Sequence, residues 1–454
     1  MFEISHETIA ALATPAGRGG IGIVRISGAN TPFIAKKIVG FVPRPRHATL
    51  SVFKDFDGSL IDEGIALYFP KPHSFTGEDI LELQGHGGPA VMDRLLKSTI
   101  EAGARLARPG EFSERAFLNN KIDLVQAEAV SDLINATSEQ AMRSAVRSLQ
   151  GEFSQKITVL VNRLIKLRMY IEAAIDFPTE EIDFLTDSVL QKKIEKILKN
   201  IQEIEKTAKQ GALLRDGITV VIVGEPNVGK SSLLNLLSGQ ETAIVTDIAG
   251  TTRDILRESI HIDGMLVHIL DTAGLRITED IVEKEGVRRT KKAVEQADLI
   301  LLMVDASQTS SGTIKNTLSE LFSENKSYIP ITIVENKIDL IKEKSSKERS
   351  DYTRIKLSVK TGAGIEILKA HLKEMVGFEM TNESNFIARS RHCDAIRRSK
   401  MFLQNAYKQL TRQKAGELAA ADLFLAQKAL TEITGEFTSD DLLKKIFSEF
   451  CIGK

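Results

Sequence analysis

Tryptophan is absent from this 454-residue chain, and only two cysteines occur, Cys393 and Cys451. Two thiols make no disulfide framework and fit a reducing compartment. Excess charge is missing too: 60 Lys and Arg against 61 Asp and Glu leave a net charge of -1. No global positive field advertises nucleic-acid binding, so an RNA partner needs another argument. No apolar run approaches the ~18 residues of a membrane span. The start, Met1 to Ala10, carries Glu3, His6 and Glu7 and lacks the basic and apolar regions of a signal peptide. These absences predict a cytoplasmic protein with no membrane segment. An apolar content of 42% is enough to give each of about three domains a core.

The stretch with the strongest chemistry is Gly224-Glu225-Pro226-Asn227-Val228-Gly229-Lys230-Ser231. It follows the apolar run Ile218 to Val223 and opens a segment from Ser232 to Leu237 that reads as a helix. Strand, glycine turn and helix are the setting of a phosphate-binding loop. Backbone N–H groups, including those of Val228 and Gly229, wrap a β-phosphate. The Lys230 ammonium reaches the β and γ oxygens, and the Ser231 hydroxyl is placed for Mg²⁺.

From Ile9 to about Leu118, short apolar stretches (Ile21 to Ile26, Ile65 to Phe69, Ile80 to Leu83) alternate with glycine and proline. They predict an α+β module with one helix near Val91 to Ala102. Two glycine-dense stretches, Ala16 to Gly22 and Leu83 to Pro89, read either as close approaches to a ligand or as tight turns, and His86 is equally ambiguous. Helical spacing then covers Leu124 to Ile175 and Val189 to Leu214, with Leu190, Ile194, Ile197, Ile201 and Ile204 as a bundle-core stripe. The acidic segment Asp176 to Asp187 between them reads as a solvated connection.

Between about Asp216 and Glu379, strands are expected at Ile218 to Val223, Met265 to Leu270, Leu299 to Val304, Ile329 to Val334 and Ile355 to Ser358. Helical intervals separate most of them, which predicts a mostly parallel sheet with its ligand at the carboxyl ends. Helical pattern resumes at Cys393 to Thr411, Leu418 to Thr434 and Ser439 to Phe450. The expected order is thus an α+β module at 1–118, a helical domain at 119–215 and 380–454, and an α/β domain at 216–379 inserted into it.

Within that inserted domain, Gly250-Thr251-Thr252-Arg253 offers a threonine for Mg²⁺, and Asp271-Thr272-Ala273-Gly274 follows a strand. Asp271 can hold the metal's water and the Gly274 N–H can meet a γ-phosphate, so loss of that phosphate releases both segments. Asn336-Lys337-Ile338-Asp339 follows another strand. The Asp339 carboxylate accepts from guanine N1–H and N2–H₂, donors that adenine lacks there. Ser358-Val359-Lys360 sits where a backbone N–H meets guanine O6. Leu275 stands where Ras-like enzymes carry a water-orienting glutamine. A carboxylate from Glu279 to Glu285, or a second cation beside the phosphates, must then do that work. Asn227, Thr246 and backbone carbonyls from Thr246 to Thr251 give oxygen ligands for such an ion.

Taken with Gly17 to Arg25, Phe75 to Asp79, Arg108 to Phe112, Ile248 to Asp254, Asp271 to Arg276 and the terminal Phe450-Cys451-Ile452-Gly453-Lys454, these motifs resemble the MnmE (TrmE) family of tRNA-modification GTPases over the whole chain. The resemblance implies an N-terminal dimerising domain that binds a tetrahydrofolate one-carbon derivative (5,10-methylene or 5-formyl), a helical domain and an inserted P-loop G domain. It implies a potassium-stimulated GTPase working with the FAD-dependent protein MnmG (GidA), as a homodimer within a heterotetramer. Together they would add an aminomethyl-type group at C5 of the wobble uridine of certain tRNAs. By position, Arg25, Glu82, Lys121 and Lys454 match folate contacts. Asn227, Thr246, Ile248 and Thr251 match potassium ligands, and Ser231 and Thr252 match Mg²⁺ ligands. Glu283 matches the water-positioning carboxylate and Cys451 a required cysteine; Lys230 and Thr252 complete the catalytic set, while Ser232, Thr272 and Ala273 flank the nucleotide. Val359 departs from the usual alanine. A regulatory GTP switch in ribosome assembly or stress signalling is the alternative. It would need neither the N-terminal glycine motifs nor Cys451. A folate-dependent methyltransferase acting alone is disfavoured by the lack of a flavin or S-adenosylmethionine fingerprint.

Overall fold

A computed structural model describes residues 7–176, 188–240, 257–271, 297–308, 314, 329–378, 386–413, 415–436, 440–448, 450, 451 and 453. The chain forms two compact units, one of residues 1–135, 145–202 and 394–454, the other of 136–144 and 203–393.

In the first unit a six-stranded sheet comprises β1 (Ile9–Leu12), β2 (Gly22–Ser27), β3 (Thr49–Lys54), β4 (Leu60–Phe69), β5 (Ile80–Gly85) and β6 (Arg105–Leu106), in the order β3-β4-β5-β2-β1-β6. All its pairings are antiparallel except β1 with β6. Its buried face carries Val24, Ile26, Phe53, Ala66 and Leu83 against α1 (Thr31–Ile38) and α2 (Pro89–Glu101). Three helices stand in this module where one was expected, because α1 and α3 (Glu111–Leu118) are eight residues each and too short for a periodic stripe. α2 starts with Pro89 at its first position, where the missing N–H costs nothing.

The pattern from Leu124 to Ile175 resolves into α4 (Leu124–Ile134), α5 (Glu139–Leu149) and α6 (Glu152–Asp176). Asp123 and Gln126 form a reciprocal cap at the start of α4, and Gly151 supplies a φ of 85° between α5 and α6. In α7 (Ser188–Asp216) the stripe buries Leu190, Ile194, Ile197 and Ile201, while Ile204 is half-buried.

The second unit is built on a seven-stranded sheet of β7 (Ile218–Val223), β8 (Arg257–Ile262), β9 (Met265–Asp271), β10 (Leu299–Asp305), β11 (Ile331–Asn336), β12 (Ser346–Arg349) and β13 (Thr353–Lys356). Their order is β12-β13-β11-β10-β7-β9-β8, with β8 and β12 antiparallel at the edges and the rest parallel. Neither edge strand was anticipated: the polar residues of β12 give no apolar signal, and β8 buries only two isoleucines, Ile260 and Ile262. Every residue of β10 is buried, as a central parallel strand with both faces covered requires. The strand expected at Ile355 to Ser358 ends at Lys356 instead, since Ser358 turns away to bond a neighbouring loop. α8 (Lys230–Gln240), α9 (Ile338–Ile341) and α10 (Ile365–Met375) complete this unit's described helices that bear on the site.

Helix then returns as α11 (Ser390–Lys408), α12 (Gly416–Thr434) and α13 (Asp440–Ser448). α12 lies on α6, where Arg168 Nη1 donates to Gln427 Oε1 at 2.8 Å and stacks over Phe424. α13 buries Leu443, Ile446 and Phe447 with Leu124 and Ala127 of α4. Residues more than 300 positions apart in sequence thus share one helical core, which covers the apolar stripes that either half alone would expose.

Candidate guanine-nucleotide site

The sheet of the second unit changes winding direction at β7, which has β9 on one side and β10 on the other. Such a switch leaves a crevice at the carboxyl end of the strand. There the chain turns through Gly224, where a Cβ would stand 2.1 Å from Met303 O on β10. Only glycine lets the two backbones pass so closely. Asn227 holds a left-handed φ of 62°, a conformation that short polar side chains tolerate. α8 begins at Lys230, with Ser231 and Ser232 in its first turn at the positive end of the helix dipole.

Lys230 is buried, and its Nζ donates to Gly224 O at 2.7 Å and Glu225 O at 2.8 Å. Both of these acceptors are neutral carbonyls of its own loop. A phosphate oxygen offers a charge-assisted bond roughly twice as strong, so these contacts yield readily to an anion.

At the end of β11, Asn336 joins two loops. Its Nδ2 donates to Val228 O at 2.8 Å, and its Oδ1 accepts from the Val359 N–H at 3.0 Å. One buried amide so fixes the phosphate loop against the loop after β13. The larger valine at 359 leaves that backbone bond intact. Ser358 Oγ donates to Asp339 Oδ1 at 2.6 Å. Lys337, with a left-handed φ of 69°, reaches back so that Nζ donates to Asp305 Oδ2 at 2.7 Å. Val228, Gly229, Lys230, Asn336, Lys337, Asp339, Ser358 and Val359 are thus gathered at one end of the sheet, and Lys360 follows, exposed.

Asp305 was not among the residues singled out from the sequence. Its Oδ1 accepts from the N–H and hydroxyl of Ser307 at 3.0 and 2.6 Å. Burial pushes its carboxyl upward, but the bonds from Lys337 and Ser307 outweigh that and hold it below the ordinary carboxylate range. A cavity of about 400 Å³ lies between the loop Gly224 to Val228, the end of β10, Gln308 and Lys337. The signal for Asp305 was an acidic residue closing the all-apolar run Leu299 to Val304.

Thr246, Ile248, Thr251, Thr252, Thr272, Ala273, Gly274 and Glu283 lie outside the described residues, as does Lys454. Asp271 closes β9 opposite Ile222, and its side chain is likewise outside them.

In the first unit, Arg25 and Glu82 face each other across β2 and β5, and Arg25 Nε and Nη2 both reach Glu82 Oε1 at 2.9 Å. Arg25 stacks 5.9 Å over Phe112 of α3, and its Nη1 donates to Gly453 O at 3.5 Å. Gly453 is buried with a φ of 94°, and a Cβ there would stand 2.3 Å from Leu12 O. The exposed Cys451 accepts at its carbonyl from the Gly110 N–H at 3.3 Å. Lys121 sits on a separate loop, donating to Pro72 O at 2.9 Å. The two glycine-rich stretches pack on each other through Gly19 N–H to Gly87 O at 3.1 Å, and they also border a cavity of about 450 Å³. His86 pairs with Asp62 at 2.8 Å and is exposed.

A glycine-rich loop running into a helix at the switch point of a parallel sheet, tied by an asparagine to the loop after β13, is the architecture of a P-loop GTPase domain. Family models match as the GTP-binding protein TrmE N-terminus over residues 8–121 and as the MnmE helical domain over residues 124–451. The chain is 72% identical over 454 residues, all of both chains, to a tRNA modification GTPase MnmE of Coxiella burnetii (strain Dugway 5J108-111). It is 55% identical to that of Proteus mirabilis (strain HI4320), over 99% of this chain and 100% of the relative. A solved Era of Aquifex aeolicus, a single-residue variant bound to GDP·AlF4⁻, is 26% identical over 41% of this chain and 66% of its own, with a TM-score of 0.26. The chain belongs to the MnmE family of tRNA modification GTPases. Among the described residues no helix is long and apolar enough to cross a membrane.

Proposed function

We propose that the protein is a potassium-stimulated GTPase of the cytoplasm. With the flavin-dependent partner MnmG it would modify C5 of the wobble uridine of certain tRNAs, drawing a one-carbon unit from a tetrahydrofolate carrier. The observation that carries the nucleotide half is the Asn336 bridge between Val228 O and the Val359 N–H, which holds phosphate-binding and base-reading loops in one frame. GTP enters with its phosphates on the Gly224 to Ser231 loop, where Lys230 exchanges two carbonyls for phosphate oxygens. Asp339 reads guanine, and rejection of adenine follows from leaving that carboxylate unpaired. Mg²⁺ would be held at Ser231 and Thr252, and when bound it neutralises charge developing on the phosphates. Potassium would be held by Asn227, Thr246, Ile248 and Thr251 and would supply positive charge that an arginine finger gives elsewhere. Ser231 in the first turn of α8 and the left-handed Asn227 beside it bring oxygen donors suited to hard cations. Glu283 would position the attacking water.

The carrier half rests on Arg25, Glu82, Lys121 and Lys454. A carboxylate suits the donors of a pterin, and basic groups suit a glutamate tail. Cys451 joins the catalytic set of this half. The protein would act as a homodimer, in a heterotetramer with MnmG.

Mass spectrometry of tRNA nucleosides from a strain lacking this gene tests the whole reading: unmodified wobble uridine is expected, and a normal nucleoside profile would leave a regulatory GTP switch instead. GTP turnover compared in KCl and NaCl at equal ionic strength tests the cation; equal rates remove potassium from the mechanism.

A further inference from the structure

Charge balances over the whole chain but not along α6 and α7. From Phe153 to Ile171 there are four basic residues and no acidic one, and from Val189 to Gln202 there are four lysines against a single acid, Glu195. The two helices touch at two places within the first unit: Arg163 Nη1 abuts the side-chain amide of Asn200, and Lys193 Nζ lies 5.0 Å from the centroid of the Tyr170 ring. These contacts pair the earlier residue of α6 with the later residue of α7, so the helices run antiparallel. Lys166 follows Arg163 by three residues and Lys196 follows Lys193 by three, which places both between the two contacts. Lys192, Lys196 and Lys199, at spacings of four and three, make an outward row along about 10 Å of helix axis. That row lies opposite the buried stripe of Leu190, Ile194, Ile197 and Ile201.

We infer that this α6/α7 ridge is the surface on which the protein holds the phosphate backbone of a tRNA. The inference rests on the reading of the chain as one that acts on tRNA. Its first support is that the charges are uncompensated. Arg163 is half-buried, while Lys166, Lys192, Lys193, Lys196 and Lys199 are exposed. Among the described residues no carboxylate pairs with any of these five lysines. The nearby acids are turned elsewhere or stand at the ends. Glu195 accepts from Tyr407 Oη of α11 at 2.9 Å, and Glu172 pairs with Arg168 at 3.2 Å. Glu203 ends the outward row one turn past Lys199, and the acidic segment Asp176 to Asp187 follows α6 in sequence. Like charges three and four residues apart repel, so the row weakens its own helix and a polyanion relieves it. The second support is the kind of residue. Lysines are depleted at protein interfaces, where aromatic anchors carry binding, whereas phosphate backbones are held by rows of ammonium groups that release condensed counterions. The aromatic ring at the ridge, Tyr170, is half-buried beneath Lys193 and does not offer a face for an unpaired base. The contact is therefore to phosphates and carries no base sequence.

The test titrates the full chain with a fluorescein-labelled, unmodified tRNA transcript over a range of KCl concentrations. The variant Lys192→Gln/Lys196→Gln/Lys199→Gln keeps helix propensity and removes three charges. It is expected to bind at least about tenfold more weakly at ~0.1 M salt, and to lose about two to three from the slope of log affinity against log salt. Lys54→Gln/Lys71→Gln/Lys97→Gln removes the same charge from exposed positions of the N-terminal module and should stay within about twofold of native. Equal losses in the two variants, or a native slope in the first, overturn the inference. GTP turnover and the melting midpoint of the first variant should match native, which separates loss of contact from loss of fold. If that variant does not fold, Lys166→Gln/Lys193→Gln decides in its place, with an expected slope loss of about one to two. Native tRNA affinity together with lost capture of MnmG would make the ridge a protein-docking face and overturn the inference. Native binding with an unchanged variant removes the ridge alone. Absence of salt-dependent binding by the native chain also removes it, and leaves the tRNA-modifying reading to the nucleoside profile of the deletion strain.

Discussion

The two candidate sites of this chain are put together in opposite ways. The nucleotide site gathers contiguous loops, Gly224 to Ser231, Asn336 to Asp339 and Ser358 to Lys360, each following a parallel strand of one sheet. The Arg25 site gathers single residues 57 and 428 positions away, Glu82 from a paired strand and Gly453 from the end of the chain. In the first, strand order alone delivers the loops to one edge, so each loop's own turn chemistry does the rest. In the second, a cross-strand register and a returning tail must both be correct before any polar group meets its partner. A parallel sheet therefore localises function to a rim, whereas an antiparallel sheet places it on a face, wherever register puts two side chains opposite.

That contrast can be broken by paired substitutions read by segment-resolved hydrogen exchange. Asn336→Ala leaves Val228 O and the Val359 N–H without this partner, at about 1–3 kcal/mol for each group. Exchange is expected to rise together in the Gly224 to Ser231 and Ser358 to Lys360 loops, though they are far apart in sequence. Arg25→Met leaves Glu82, 15% exposed, without its cation, a smaller loss of about 1–2 kcal/mol. Here exchange should rise in β2 and β5 and at the Cys451 tail, with the phosphate loop unchanged. A rise confined to a single loop in Asn336→Ala would show that the amide does not join the two, and the rim description would fail.

How much of this was legible follows from the same difference. The strand Ile218 to Val223 and the motif after it were readable because every chemical requirement lies within a few residues, and the structure ends β7 at Val223. The α7 stripe was readable from its spacing, although Ile204 is only half-buried. Asp305 escaped notice because its partner Lys337 is 32 residues on and nothing local distinguishes it from any acidic strand end. α1 and α3 were missed because eight residues hold barely two turns, and β12 because an exposed polar edge strand has no apolar alternation. Arg25 and Glu82 were singled out by resemblance to a family, as folate contacts, and not as each other's partner. Their spacing carries no sign of a register that only the folded sheet defines.

Acid sharpens the comparison with the smallest expected effect. His371 on α10 is fully buried, with Nε2 on Thr332 Oγ1 at 2.7 Å, and burial, aided by the Lys347 and Arg349 charges against the opposing Glu374, lowers its pKa to about 4. Its value in the unfolded chain is near 6.5. The unfolded state thus takes up the proton first as pH falls, so the stability His371 contributes is complete above about pH 6.5 and is lost between there and about 4. In the first unit, burial raises Glu111 but bonds from Arg105 and the Arg108 N–H bring it down to about 2. That contribution is complete above the ordinary glutamate value of about 4.3 and fades only below it. Between about pH 7.5 and 5.5 the second unit should therefore lose roughly 1 kcal/mol to His371 while the Glu111 contribution holds steady. Urea unfolding at the two pH values, followed by exchange in β11 and in α3, measures each unit in the same sample. His371→Gln keeps a hydrogen-bonding group for Thr332 and removes the titration, so its β11 curve should be flat across that interval; a variant as acid-sensitive as the native chain would assign the loss to another group.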